Sequence, residues 1–273
     1  MNITIKTPEE IEKMRVVGKL ASEVLDIVSC YIEPGVTTEE LNTICHNHIV
    51  DIQKAIPAPL NYKGFPKSIC TSWNHVVCHG IPSPKKMLKD GDIINIDVTV
   101  IKDGYHGDTS RMFIVGGTMG KASILAKRLY TVAYECMWKG IKTIRAGVQT
   151  IEIGQAIYDH ATAANFSVVR EFCGHGIGLG FHEDPQILNY PHMKASVEMM
   201  PGMTFTVEPM INAGKKDVKK LPDGWTIVTK DHSLSAQWEH TVLVTEDGYE
   251  VLTWNDWARG LPKYPIRYTP LKK

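Results

Sequence analysis

The chain lacks an excess of charge of either sign. Its 273 residues include 30 Lys plus Arg and 30 Asp plus Glu. That balance offers no long-range attraction to nucleic acid or to an acidic membrane, and binding to neither is expected. Also missing is any apolar run near the roughly 20 residues that span a bilayer. The opening Met1-Asn2-Ile3-Thr4-Ile5-Lys6 has no apolar stretch of signal-peptide length. Cys30, Cys45, Cys70, Cys78, Cys136 and Cys173 are dispersed and form no CxxC, which reads as reduced thiols in a cytoplasmic protein. No low-complexity segment or flexible linker interrupts the chain. What is present is an ordinary globular composition, 43% hydrophobic. It is enough for a sizeable core in one large domain or two fused halves.

The most informative stretch runs from Gly91 to Arg111. Ile94, Ile96, Val98 and Val100 alternate with smaller or polar residues, the period of a strand, and Asp103-Gly104 is a strong hairpin turn signal. Folding the ribbon there puts Asp97 and Asp108 on one face. They are directly opposite if the turn centres on Lys102-Asp103, and diagonal neighbours if it centres on Asp103-Gly104, with Cβ separations of about 5 or 7 Å. Two carboxylates that close in an apolar ribbon repel each other and call for a cation.

Helix signals precede the hairpin. Thr7-Pro8-Glu9-Glu10 is a capping box with proline at the first helical position, followed by a stripe of Ile11, Met14, Val17, Leu20, Val24 and Val28. Glu33-Pro34-Gly35 breaks that helix, and Thr37 with Glu40 opens another through about Gln53. Ile56 to Gly64 reads as loop, Ser68 to Val77 as an irregular strand, and Cys78 to Pro84 as loop. The pattern then restarts, with a helix from Ala122 to about Lys139. Ile144 to Ile153 can be laid on Ile32 to Leu41 at an offset of about 112; with one deletion, Gly91 lands on Gly202 and Asp97 on Glu208. Few identities support the alignment, but helix, break, helix, strand and carboxylate recur in order. The expectation is a single catalytic domain over 1–273 with related halves of about 1–117 and 118–273. Further on, Glu171 to Pro185 is too glycine-rich for a helix, Lys215 to Gly224 reads as a polar surface turn, Ala236 to Val244 as one strand, and the tail from Leu261 as irregular.

Singly, each polar candidate has an ordinary structural explanation. Asp97 ends a strand, Asp108 closes a turn, His175 sits in a loop, Glu208 precedes a proline, and Glu239 lies on a strand face. Together, four acids and one histidine cannot share a dry cleft without cations. An oxygen-rich set with one imidazole suits Mn, Fe or Co and permits Zn, and its size suits two ions rather than one.

At this point the chain resembles the type I methionine aminopeptidases of the pita-bread metallopeptidase family. The stretches that carry the likeness are Lys67-Ser68-Ile69-Cys70-Thr71-Ser72, Val76 to Pro82, Asn95-Ile96-Asp97-Val98, Gly107-Asp108-Thr109-Ser110, Cys173 to Gly178, Phe181-His182-Glu183, Thr206-Val207-Glu208-Pro209 and Ser233 to Thr241. They run in family order over nearly the whole chain. The resemblance implies an α+β pita-bread fold, two pseudo-two-fold-related halves around a curved antiparallel sheet with helices outside. It implies Asp97, Asp108, His175, Glu208 and Glu239 as ligands of two divalent ions, with Asp108 and Glu239 bridging. An activated water would attack the first peptide bond, with Glu208 as proton carrier, His182 at the carbonyl oxygen and His79 at the backbone nitrogen. Tyr62, Phe65, Cys70, Phe181 and Trp225 match a pocket for an unbranched thioether. Pro59 stands where bacterial relatives often carry cysteine, and Phe65 where tyrosine is common. Asn74, Val76 and Ser235 match a monovalent-cation site, although ordinary loop hydrogen bonding explains them nearly as well. Cys78 beside His79 reads as structural rather than as a nucleophile. The implied activity removes the initiator methionine from nascent chains, at the ribosome, when the second residue is small. The implied enzyme is a cytoplasmic monomer. The rivals are a proline-specific peptidase of the same fold and a scaffold that has lost catalysis. Retention of all five ligands speaks against the latter.

Overall fold

A computed structural model describes residues 2–117 and 121–254, so the tail from Leu261 lies outside the described residues. The chain begins with α1 (Pro8–Ser29), closed at its start by the Thr7–Glu10 capping box that the sequence predicts. Its buried stripe of Met14, Val17, Val24 and Val28 faces the first-half core. α2 (Thr38–Asn47) carries the second box, Thr37 with Glu40, and widens into a π-helical turn over His48–Ile52. Three short strands follow, β1 (Ile56–Pro57), β2 (Cys70–Trp73) and β3 (Val76–Cys78). The single strand expected from Ser68 to Val77 is split because Asn74 turns the chain at φ +50°.

The long hairpin is β4 (Ile93–Lys102) and β5 (Tyr105–Ile114). Its turn residues Asp103 and Gly104 have φ of +51° and +85°, so the turn centres on them. Asp97 therefore lies opposite Ser110, and Asp108 opposite Thr99. The two acids are diagonal neighbours on one face, the second of the two registers left open by the sequence. The other face, with Ile94, Ile96, Val98 and Val100, packs beneath α1. The helix can come this close because residue 107 is glycine: a Cβ there would lie 2.5 Å from the Val17 backbone. β1 and β2 pair with β4 on its other edge.

The second half contains α3 (Ile124–Ile141), α4 (Ile151–Ala163), β6 (Ser167–Val168), β7 (Gly174–Gly176), β8 (Glu183–Ile187), β9 (Thr204–Val207), β10 (Met210–Asn212), β11 (Val218–Lys220), β12 (Ile227–Thr229), β13 (Ser235–Gln237), β14 (His240–Thr245) and β15 (Gly248–Val251). β15, β14, β9, β7 and β8 form an antiparallel sheet in that order. Leu129, Ala133, Met137, Ile153 and Ile157 from the helices pack on Phe205, Val207, Val242 and Val244 from its strands. Two expectations need correction. The polar 215–224 stretch is not only a turn, since β11 pairs with β12. The run from Ala236 to Val244 is not one strand: it breaks at Trp238 and Glu239, where Glu239 leaves its own sheet to bridge Ser110.

Local geometry recurs between the halves. The amides of Gly35 and Thr38 donate to Leu88 and Lys86, and those of Gly147 and Thr150 donate to Met199 and Val197. Gly91 and Gly202, each two residues before a central strand, have φ of +90° and +87°. The pairing of Ile93 with Ile114 has its counterpart in Thr204 with Leu243.

A buried carboxylate cluster and its cleft

Asp97 and Asp108 are delivered by the inward face of the hairpin. His175 comes from β7, Glu208 from the residue after β9, and Glu239 from the break before β14. Asp97, Asp108 and Glu239 each bring a carboxylate oxygen within 4.8 Å of the others. His175 Nε2 lies 3.7 Å from Asp108 Oδ2 and 3.6 Å from Glu208 Oε1. All five residues expected as ligands are thus gathered at one place.

Backbone and neighbouring side chains fix their orientation. His175 Nδ1 donates to the carbonyl of Gly176 at 2.9 Å, leaving Nε2 with a lone pair aimed at the acids. Thr99 Oγ1 donates to Asp108 Oδ1 at 2.8 Å. Thr206 Oγ1 and Gln237 Nε2 hold the two oxygens of Glu208 at 2.7 and 3.2 Å. Ser110 donates to Glu239, and Glu239 N–H donates to Ser110 O at 3.1 Å. Asn95 ties Ser110 Oγ to the carbonyl of Gln237.

Burial makes this set electrostatically unsatisfied. It pushes Asp97 up to about 7 and, with the charge of Asp97, Glu208 up to about 8. Asp108 and Glu239 are driven well above the carboxylate range by burial first, and then by the charges of Asp97 and Glu208 on Asp108 and of Asp108, Glu208 and Asp97 on Glu239. Burial lowers His175 to about 4, so its imidazole is neutral. Four clustered carboxyls faced by an unprotonated nitrogen are a donor set that divalent cations satisfy, with oxygen ligands and one imidazole suited to Mn, Fe, Co or Zn.

The cluster forms the floor of a cavity of about 330 Å³. Every residue expected in the thioether pocket lines it: Tyr62, Phe65, Cys70, Phe181 and Trp225, together with Pro59. Phe65 meets Trp225 edge-on with ring centroids 5.2 Å apart, and Tyr62 leans on Phe181 at 4.9 Å. His79 and His182 stand on different walls. His79 packs edge-on to Phe172 and Trp225 and is lowered to about 4 by burial and then by Lys220. A φ of +55° turns His79 off the strand that ends at Cys78, and Cys78 is buried in a small core with Val77 and Ile227. His182 Nδ1 lies 3.1 Å from Tyr62 Oη, and burial followed by His175 lowers it to about 3.

Asn74 and Ser235 are brought together by a bond from Ser235 N–H to Asn74 O at 2.8 Å, with Val76 two residues on in β3. Sequence reasoning missed Thr99 and Thr206. Each lies two residues from an acid on the same strand face, so period two would have found them. It also missed Lys63, Glu171, Phe172, Cys173 and Met210, which line the cavity from segments with no period.

Residues 12–246 match the model of metallopeptidase family M24. A methionine aminopeptidase of Escherichia coli (strain K12) is 57% identical over 253 residues, covering 93% of this chain and 94% of that protein. Among solved structures, methionine aminopeptidase from Rickettsia prowazekii superposes with a TM-score of 0.88 at 55% identity, covering 93% of this chain and all of that one. The Thermotoga maritima methionine aminopeptidase gives 0.89 at 38%, again covering 93% and 100% of the two chains.

Proposed function

The chain belongs to metallopeptidase family M24, and we propose that its cleft removes the initiator methionine from nascent polypeptides whose second residue is small. The fold is the pita-bread arrangement of that family, helices outside antiparallel sheets. The activity is that of a metal-dependent exopeptidase acting on the first peptide bond. One observation carries the reading: five ligand-type side chains from distant parts of the chain converge on the floor of an aromatic-lined cavity.

In this reading Asp97, Asp108, His175, Glu208 and Glu239 would hold two divalent ions, Co, Mn, Fe or Zn, which when bound would supply a water acidic enough to attack near neutral pH. Glu208, oriented by Thr206 and Gln237, takes the proton of the attacking water and passes it to the departing amine. The Tyr62 hydroxyl donates to His182 Nδ1, which leaves the imidazole proton on Nε2 to donate to the carbonyl oxygen as it gains charge. His79, kept neutral by burial, accepts from the N–H of the scissile or adjacent amide. The methionine thioether packs against Tyr62, Phe65, Cys70, Phe181 and Trp225; Pro59 and Phe65 keep that rim apolar. A large second side chain is excluded sterically by the cleft wall.

Around this core we place a single catalytic domain with halves of about 1–117 and 118–273, and a monovalent cation near Asn74, Val76 and Ser235. The substrate is the amino terminus of a nascent polypeptide. The enzyme works as a cytoplasmic monomer at the ribosome; among the described residues no helix is long and apolar enough to cross a membrane. The decisive measurement is release of methionine from Met-Ala-Ser after reconstitution with Co²⁺, Mn²⁺ or Fe²⁺. Release that depends on metal supports the reading. Faster turnover of Ala-Pro peptides would overturn it in favour of a proline-specific peptidase, and inertness with all three ions in favour of a scaffold.

A further inference from the structure

We infer that the ion pair between Lys6 and Glu183 is a latch that positions His182 over the carbonyl oxygen of the scissile bond. The inference rests on the role given to His182 above. His182 keeps part of its surface exposed while its ring is enclosed by Tyr62, His175 and Phe181, and the one hydrogen bond described for the ring is that to Tyr62. Where the ring stands in the cleft also depends on the chain on either side. On the C-terminal side stands Glu183, and every described contact of that carboxylate ties the His182 loop down. Oε1 accepts from the amide of Gly180 at 2.7 Å. Oε2 accepts from Lys6 Nζ at 2.9 Å and Thr4 Oγ1 at 2.8 Å.

The other end of the latch is anchored as firmly. The Lys6 side chain is only 4% exposed. It also bonds Thr4, and its backbone amide donates to Gly202 O at 2.9 Å, in the turn that leads into the strand before Glu208. Ile3 pairs with Asp184. The loop is moulded to the lysine stem: a Cβ on Gly178 would lie 2.5 Å from Lys6 Cε. A lysine buried this deeply gives up its hydration, which a surface pair such as Lys13 with Glu9 does not. Burial disfavours the Glu183 charge, but the Gly180 amide, Lys6 and Thr4 outweigh it and hold the carboxyl below its ordinary range. The first turn of the chain and the oxyanion-side histidine therefore move as one piece.

The test is a mutant cycle on the metal-reconstituted enzyme with Met-Ala-Ser. Lys6→Met should lower kcat by about 10–100-fold with KM unchanged, since a misplacement of about 1 Å can cost 10²-fold. Lys6→Arg should restore most of the loss. In a His182→Ala background, Lys6→Met should cost nothing further. An equal loss in both backgrounds, a rise in KM at constant kcat, or no loss at all overturns the latch. If His182→Ala alone leaves kcat intact, it is the role of His182 that fails. Should Lys6→Met not fold, Glu183→Gln enters the same cycle, because its remaining carbonyl oxygen still accepts from Gly180 while the ion pair is gone.

Discussion

The hairpin of the first half and its counterpart in the second share a register but not a division of labour. Ile93 pairs with Ile114 as Thr204 pairs with Leu243, so Asp97 and Glu208 occupy equivalent places. Extending the two ladders, Ser110 is the equivalent of Glu239 and Asp108 of Gln237. The first half therefore puts its second acid where the other half has an amide, and a hydroxyl where the other half has an acid. The amide adds no charge to an already repulsive cluster. It spends its N–H groups on Glu208, the residue assigned to move protons. The two halves share a frame, and the departures from it separate the acids proposed as ligands from a polar group that orients one of those acids.

Exchanging members of these pairs tests the distinction. Asp108→Asn should abolish metal-dependent release of methionine, checked by peptide turnover at matched protein concentration; persisting activity would remove Asp108 from the proposed ligand set. Gln237→Ala should be milder, a fall of about 10–100-fold in kcat, the usual cost of losing a group that orients a ligand. A loss as complete as that of Asp108→Asn would erase the difference between the halves. Stripping the metal should lower the thermal midpoint, because an ion at 100 times its Kd contributes about 2.7 kcal/mol to the folded state; calorimetry with and without chelator reads this directly.

Smaller effects follow. His79 and His182, one from each half, are held neutral, lowered from 6.5 to about 4 and about 3. The unfolded chain binds more protons in that window, so their contribution to stability is lost as pH falls from 6.5 toward 4. Between pH 7 and 5 the urea midpoint of wild type should fall relative to that of His79→Phe, since the variant cannot titrate at that position. The smallest contrast lies at the helix starts. Glu40 closes a capping box with Thr37 at the start of α2, whereas Thr150, the N-cap of α4, makes no side-chain cap and its hydroxyl accepts from Val197 N–H. Glu40→Ala should lower the urea midpoint slightly, and Glu152→Ala should leave it at the wild-type value.

Much of this was legible in the sequence where one local rule governs. Capping boxes, the Asp103-Gly104 turn and the alternation of Ile94, Ile96, Val98 and Val100 each depend on a few neighbouring residues, and each appears as read. The fixed offset led from Asp97 to Glu208 alone; the resemblance to a known family implied the rest of the proposed ligand set. The break at Trp238 and Glu239 left no trace, since it is imposed by Ser110, far away in sequence. Lys63, Phe172 and Met210 were invisible for the same reason: the cavity is assembled from loops and a short strand whose meeting is a tertiary event.

The bridge between Ser110 and Glu239 also bears on how the enzyme is made. Around it, Thr109 Oγ1 donates to Glu239 O and Thr241 Oγ1 to Asp108 O, closures over 130 and 133 residues. Contacts of such span are slow to form and come late in folding. During synthesis the hairpin with its two acids leaves the ribosome long before Glu239 exists. A partly made chain therefore holds an incomplete acid cluster, and the proposed site closes only once the last of these strands has docked.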